Sequence, residues 1–383
     1  MNKQNIKNVL AKYLVNEATE VEIQHIIKWL EEPDNLKAFK NYIALNHTIN
    51  QEFIRFNSVE AFEKTLKRIE QEKKVVEFPI SNLIKYGVAA SVLLLVSLSF
   101  VFNEKPAQTE TPIIVDNNIK IGSDKATLTL EDGADVVLEK GEDYQNTNLS
   151  SNGEVLVYKS DNSKKDIAYN YLTIPRGGQF NVELSDGTKV WLNSESKLKY
   201  PVKFIDGETR QVELIYGEAY FDVSPSENHK GSKFKVNTLI QEVVVLGTEF
   251  NIKAYKDEAQ IYTTLVEGKV EIGNDISNEE LKPNQQSTVN VENNHITISE
   301  VDVYNEISWR KGVFSFKNKS LKDMMQVLSR WYNIDIEFEN NTLKDLKFNG
   351  VLSKTQNIEN ILLTIKTTND FAYEINQDRI LIK

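Results

Sequence analysis

Hydrophobic positions along this chain change their spacing three times, and each change marks a different kind of structure. In the first 75 residues they recur at helical intervals. Ile6, Val9, Leu10, Tyr13 and Leu14 form one stripe; Ile23, Ile26, Ile27 and Leu30 form a second, opened by a capping box of Thr19 and Glu22. Leu36, Phe39, Tyr42 and Ile43 follow Pro33 and Asp34, and a fourth stripe runs through Val59, Phe62, Leu66 and Ile69. The pattern predicts three or four short helices, a small bundle over residues 1–80 whose thin core leaves apolar surface for a partner. Trp29 stands beside Leu30 at the end of one helix, placed either to fill that core or to anchor the partner.

Polar positions then vanish. Residues 86–102 (YGVAASVLLLVSLSFVF) carry no charge, and a helix from Lys85 to Glu104 reaches ~27 Å, close to the ~30 Å of a bilayer's hydrocarbon layer. Val92 to Val96 with Leu98, Phe100 and Val101 leaves no polar face, so the expectation is one transmembrane helix over residues 84–103, in contact with membrane lipid. The 85 residues before it exclude a cleaved signal peptide. Lys64, Lys67, Arg68, Lys73, Lys74 and Lys85 precede the segment and Lys105 alone follows closely, which puts the N-terminus in the cytoplasm.

After a polar linker, 104–112, the spacing becomes two. Leu128 to Leu138 reads as two strands about an Asp-Gly turn, and Val182 to Leu192 repeats the arrangement 54 residues later, which suggests duplication. Further strands are predicted at Gln211 to Tyr216, Ala219 to Val223, Phe234 to Asn237, Glu242 to Leu246, Phe250 to Tyr255, Gln260 to Leu265 and Lys269 to Ile272. Dense short strands without helices predict an all-β domain over 113–300, a sandwich, barrel or solenoid-like stack. From Trp309 the grammar changes again. Strands at Val313 to Phe316, Ile334 to Phe338, Lys347 to Leu352, Phe371 to Ile375 and Arg379 to Ile382 alternate with helices Leu321 to Tyr332, capped by Ser320, and Ile358 to Thr367. That predicts a separate α+β domain of βαβ type over 309–383, two helices on one small mixed sheet, with the final strand offering an exposed edge.

Charge divides with the predicted span. Residues 1–85 carry 13 Lys+Arg against 12 Asp+Glu, and the remainder 32 against 44. An acidic outer part argues against direct nucleic-acid binding. Cysteine is absent, so no disulfide or thiol chemistry is available. The four histidines, His25, His47, His229 and His295, are too scattered for a metal motif, and no phosphate loop, dinucleotide fingerprint or serine elbow occurs. No catalytic residue, cofactor or metal ligand is therefore assigned, and the chain is not read as an enzyme. Gly247-Thr248 merits attention because a Thr hydroxyl can attack the preceding carbonyl of a strained peptide. Gly187-Thr188 places the same dipeptide in an ordinary turn.

Several ordered motifs carry a resemblance. LTIPRGGQF from Leu172, VELSDGTKVWLNSESKLKYPVKF, RQVELIYGEAYFDV, VLGTEFNIKAY, TLVEGKVEI and LKPNQQ together are similar to the signature of FecR-type transmembrane anti-sigma regulators. EATEVEIQHIIKWLEE resembles their cytoplasmic sigma-binding segment, and SWRKGVFSFKNKSLKDMMQVLSRWYNIDIEF the additional C-terminal domain of one branch. The resemblance implies an inner-membrane, single-pass protein whose N-terminal helices bind an extracytoplasmic-function sigma factor, with Ile26, Trp29, Leu30, Phe39 and Tyr42 at that interface. The periplasmic part would receive a signal from a TonB-dependent outer-membrane transducer. Leu321, Met325, Trp331, Ile380 and Ile382 are the residues expected to meet it. The resemblance also implies self-cleavage between Gly247 and Thr248 by an N-to-O acyl shift, and relay through periplasmic and intramembrane proteases that release the sigma-binding piece. A competing reading is a membrane-tethered glycan-binding module that grips sugar with Trp191, Tyr216, Tyr220 and Tyr255.

Overall fold

A computed structural model of the chain describes residues 29, 113–115, 119–146, 149–158, 168–368 and 371–383. The expected transmembrane helix, the linker, and the cytoplasmic bundle apart from Trp29 lie outside the described residues. Among the described residues no helix is long and apolar enough to cross a membrane. The chain divides into two units, and the one formed by Ile114–Lys366 and Tyr373–Lys383 holds the architecture described below.

Both Asp-Gly hairpins form as predicted, Ser123–Thr129 with Asp135–Glu139 and Gly178–Glu183 with Lys189–Leu192. Their turns are copies of each other. In each the glycine N–H donates to the leucine carbonyl three residues back (2.9 Å), and the aspartate carboxylate accepts from the N–H two residues on. Gly133 (φ 85°) and Gly187 (φ 79°) supply the left-handed step that such a turn requires.

The chain lays its strands onto two sheets, mostly in alternating groups of two or three. The first sheet runs from Asp135–Glu139 through Ser123–Thr129, Tyr169–Ile174, Ser196–Pro201, the start of Arg210–Asp222, Phe234–Asn237, Glu242–Val245 and Val270–Gly273 to Asn278–Leu281. The second runs from Tyr144–Gln145 through Leu149–Ser151, Val155–Tyr158, Gly178–Glu183, Lys189–Leu192, the end of Arg210–Asp222, Glu249–Ala254, Gln260–Glu267 and Gln285–Asn290 to Ile296–Glu300. Alternate residues of both sheets, among them Leu128, Leu172, Phe180, Leu198, Phe221, Phe250 and Leu265, enter one hydrophobic core. The long strand and a parallel contact of Ser123-Asp124 with Gly178-Gln179 join the sheets, wrapping the core in a barrel-like way.

Gln211 to Tyr216 and Ala219 to Val223 are not two strands but one, Arg210–Asp222. Gly217 adopts φ 101°, which bends the strand without breaking it, so its first half belongs to one sheet and its second to the other. The approach is close: a Cβ on Gly217 would lie 2.2 Å from Ser196 Oγ.

The C-terminal elements appear where periodicity placed them, but their assembly differs. Val313–Ser320 and Lys347–Ser353 form a two-stranded sheet of their own. In a second sheet Arg379–Ile382 lies between Asp335–Phe338, parallel to it, and Tyr373–Asn376, antiparallel. The expected single sheet is thus two, and the final strand is not an exposed edge, because its backbone is paired on both sides.

Candidate functional site

The β domain and the C-terminal domain meet at the helix Leu321–Tyr332. Ser320 starts it, its Oγ accepting from Asp323 N at 3.1 Å, and Asn333 ends it in the left-handed conformation at φ 51°. Leu321, Met324, Met325 and Leu328 fill the C-terminal domain's own core. The last turn reaches into the β domain. Arg330 is 4 % exposed and pairs with Asp257 (2.6 Å), Glu258 (2.9 Å) and Glu195 (3.4 Å), its guanidinium 3.5 Å from the centre of the Tyr255 ring.

The β domain answers with its own cap. Arg176 donates to the carbonyls of Ser329 (3.1 Å) and Ile334 (2.5 Å) and pairs with Asp335 (3.2 Å); the Gly177 N–H donates to the Arg330 carbonyl (2.7 Å). A helix leaves its last carbonyls unpaired and ends at negative potential. An arginine and an amide from the other domain satisfy both needs at once.

Behind Arg330 the charges continue inward. Lys253 pairs with Glu258 (2.8 Å), and the buried Glu218 accepts from Asn193 Nδ2 (2.8 Å) and Asn251 Nδ2 (3.0 Å). Burial pushes the Glu218 carboxyl above its ordinary value, against the pull of Lys253 and the two amides. Burial opposes the Lys253 ammonium too, yet Glu258 and Glu218 keep it above the usual lysine value. A cavity of about 450 Å³ opens beside this network, lined in part by Glu218, Lys253, Asp257, Trp309, Phe314 and Arg330. Arg330, Lys253 and Glu218 each find partners within the network, and Arg330 thereby fastens the two domains.

The expected transducer residues sit elsewhere than on the surface. Leu321, Met325, Trp331, Ile380 and Ile382 are none of them more than 5 % exposed. Helical spacing singled out the first three and the expected strand edge the other two, and the domain uses all five as core. Trp29 is helical and half-buried, whereas Ile26, Leu30, Phe39 and Tyr42 lie outside the described residues.

Gly247 and Thr248 form the tight connection between Glu242–Val245 and Glu249–Ala254. Thr248 Oγ1 donates to the Lys269 carbonyl (3.0 Å), and the Thr248 carbonyl accepts from Val223 N (3.2 Å). Pro225 packs so close to Gly247 that a Cβ there would meet its Cα at 2.9 Å, and Gly268 (φ 93°) leaves the room that Thr248 Oγ1 occupies. Within this geometry the hydroxyl clasps two hairpins together.

The aromatic residues of the glycan reading are covered by cations of the chain itself. Arg310 lies 3.9 Å from the centre of Tyr220 and 4.9 Å from that of Trp191, Lys256 lies 4.0 Å over Tyr216, and Arg330 covers Tyr255. Tyr220 also donates its hydroxyl to Glu249.

Sequence reasoning missed Arg330 and the role of Arg176-Gly177. A signal existed for the first, since an arginine beside Trp331 on an otherwise apolar helical stripe marks a buried charge in need of carboxylates.

Residues 169–271 match the FecR protein family, and residues 313–382 the FecR C-terminal family. No curated protein matches the chain. Among solved structures it is similar to a candidate anti-sigma factor from Parabacteroides distasonis, at 30 % identity over 56 % of this chain and 98 % of that one, with a TM-score of 0.51. A second crystal structure with the same description and organism gives the same values.

Proposed function

The chain belongs to the FecR family of anti-sigma regulators, and from that premise we propose that its N-terminal helices bind an extracytoplasmic-function sigma factor. In this reading Trp29 and the stripe around it bury against the sigma factor in the cytoplasm, and residues 84–103 cross the inner membrane. The periplasmic domains receive the signal of a TonB-dependent outer-membrane transducer, and periplasmic and intramembrane proteases complete the relay by releasing the N-terminal piece.

The junction is the single observation that supports this reading most. Arg330, Arg176 and Gly177 bind the β domain and the C-terminal domain to each other through charge and helix-end contacts, so a load on one is felt by the other. Leu321, Met325, Trp331, Ile380 and Ile382 are interior, so in this reading the transducer meets the exposed Leu363 (51 %) on the helix Ile358–Thr368.

Capture with residues 1–85 from cell extract tests the first half: a sigma factor of this group should be recovered, and recovery of none removes the reading. A Leu363→Asp chain tests the second, since it should keep sigma capture and lose induction. Full induction by that variant moves the receiving surface elsewhere.

A further inference from the structure

Lys354 is the one lysine among the described residues that the fold buries outright, at 3 % exposed. It follows the strand Lys347–Ser353 of the C-terminal domain, yet its Nζ donates to Gln179 Oε1 of the β domain at 2.8 Å. On one side the ammonium group stands 3.6 Å over the Trp331 ring. Trp331 in turn donates its indole N–H to the Lys354 carbonyl (3.0 Å), and its ring lies against Gly122, where even a Cβ would come within 2.6 Å. Gln179 passes the contact on, donating Nε2 to Asp124 Oδ1 at 2.9 Å. Side chains of the two domains are interleaved in this stack, and Lys354 is in the middle of it.

We propose that Lys354 is a proton-responsive latch between the two domains, tightening their contact when neutral and loosening it when it holds its proton. The Trp331 face and the Gln179 oxygen favour the ammonium, but burial with no carboxylate in ion-pair contact opposes it more, so the neutral amine fits this slot better. An ammonium has three donors to satisfy, and here it finds one amide oxygen and no carboxylate in ion-pair contact. The charged groups on the surrounding elements are already engaged or too far to pair. Asp124 takes the Gln179 amide, Glu218 takes two asparagine amides, Arg330 holds its three carboxylates, and Lys125 adds a like charge near Gly177.

Burial pushes the Lys354 ammonium down to about 7, with Glu218 and Asp124 pulling weakly the other way. A lysine in separated domains titrates near ~10.4. Between those two values the separated form holds a proton that the docked form has lost, so docking strengthens as pH rises, by about tenfold per unit. Below the lower value both forms are protonated and the dependence flattens. The net change from pH 6 to pH 8 is about tenfold in the docking equilibrium.

Hydrogen exchange at the Gly177 amide, which donates across the junction to the Arg330 carbonyl, reads this equilibrium in the full chain. After correction for the intrinsic rate at each pH, its protection should rise about tenfold from pH 6 to pH 8. Lys354→Met keeps the stem and removes the proton, so its protection should be higher and flat over that interval. Gln179→Glu sets a carboxylate against the amine at nearly unchanged volume and should also flatten the profile, by holding Lys354 charged. A flat wild-type profile, or a Lys354→Met profile parallel to the wild type, overturns the proposal. Should Lys354→Met fail to fold, a Gln179→Glu slope equal to the wild type overturns it as well.

Discussion

Gly217 carries more of this fold than its lack of a side chain suggests. Its φ of 101° turns one strand from sheet to sheet, and Ser196 Oγ sits on the space a Cβ would fill while bonding Glu218 N (2.9 Å) on the next residue. Gly217→Ala should therefore cost about 3 kcal/mol, from left-handed strain plus the displaced Ser196. A denaturation midpoint within error of the wild type would refute that. The glycine was visible in the sequence as punctuation between two β runs, but a break and a bend leave the same mark there. Only the neighbouring strands distinguish them, because Ser196–Pro201 and Lys189–Leu192 claim the two halves separately. Thr248 makes the same point in a different way. The dipeptide marks it in the sequence, and only the fold shows that its hydroxyl donates to the Lys269 carbonyl, 21 residues on.

Elements were read from local chemistry, and local chemistry is where sequence speaks most directly. The helix Leu321–Tyr332 begins and ends where its periodicity and its Ser320 cap put it, because an N-cap acts within one turn. Ser320→Ala should lower stability by about 1 kcal/mol, seen as a shifted unfolding midpoint with an unchanged denaturant slope. A larger loss would mean that Ser320 supports the hairpin as well as the helix. The far end of the same helix was opaque to such reading. Its carbonyls are satisfied by Arg176 and Gly177, more than 150 residues earlier in the chain. No propensity or spacing encodes that distance. Strand pairing in the C-terminal domain was opaque for the same reason: alternation tells which face of Arg379–Ile382 is buried and says nothing about how many neighbours it has.

For the whole molecule the decisive contact is Arg330. Replacing it by alanine leaves Glu258 to Lys253 and Asp257 to Gln326, takes the cation from Glu195, and should weaken domain docking by about 2 kcal/mol. Calorimetry should then show two unfolding transitions over residues 113–383 where one is expected for the wild type. A single transition at the wild-type temperature would remove Arg330 from the fastening. Hydrophobic spacing alone determined that this protein is β-rich through its middle and α+β at its end, and it predicts helices and an uncharged stretch before them. Ordered motifs alone determined its family. Both depend on residues near one another along the chain, whose burial and turn chemistry repeat at fixed intervals. Tertiary structure decided what lies far apart in sequence: which strand bends between two sheets, which strand is central, and which charges fasten two domains. Those choices follow from long-range packing and from the need of every buried charge and helix end to find a partner, wherever along the chain that partner happens to be.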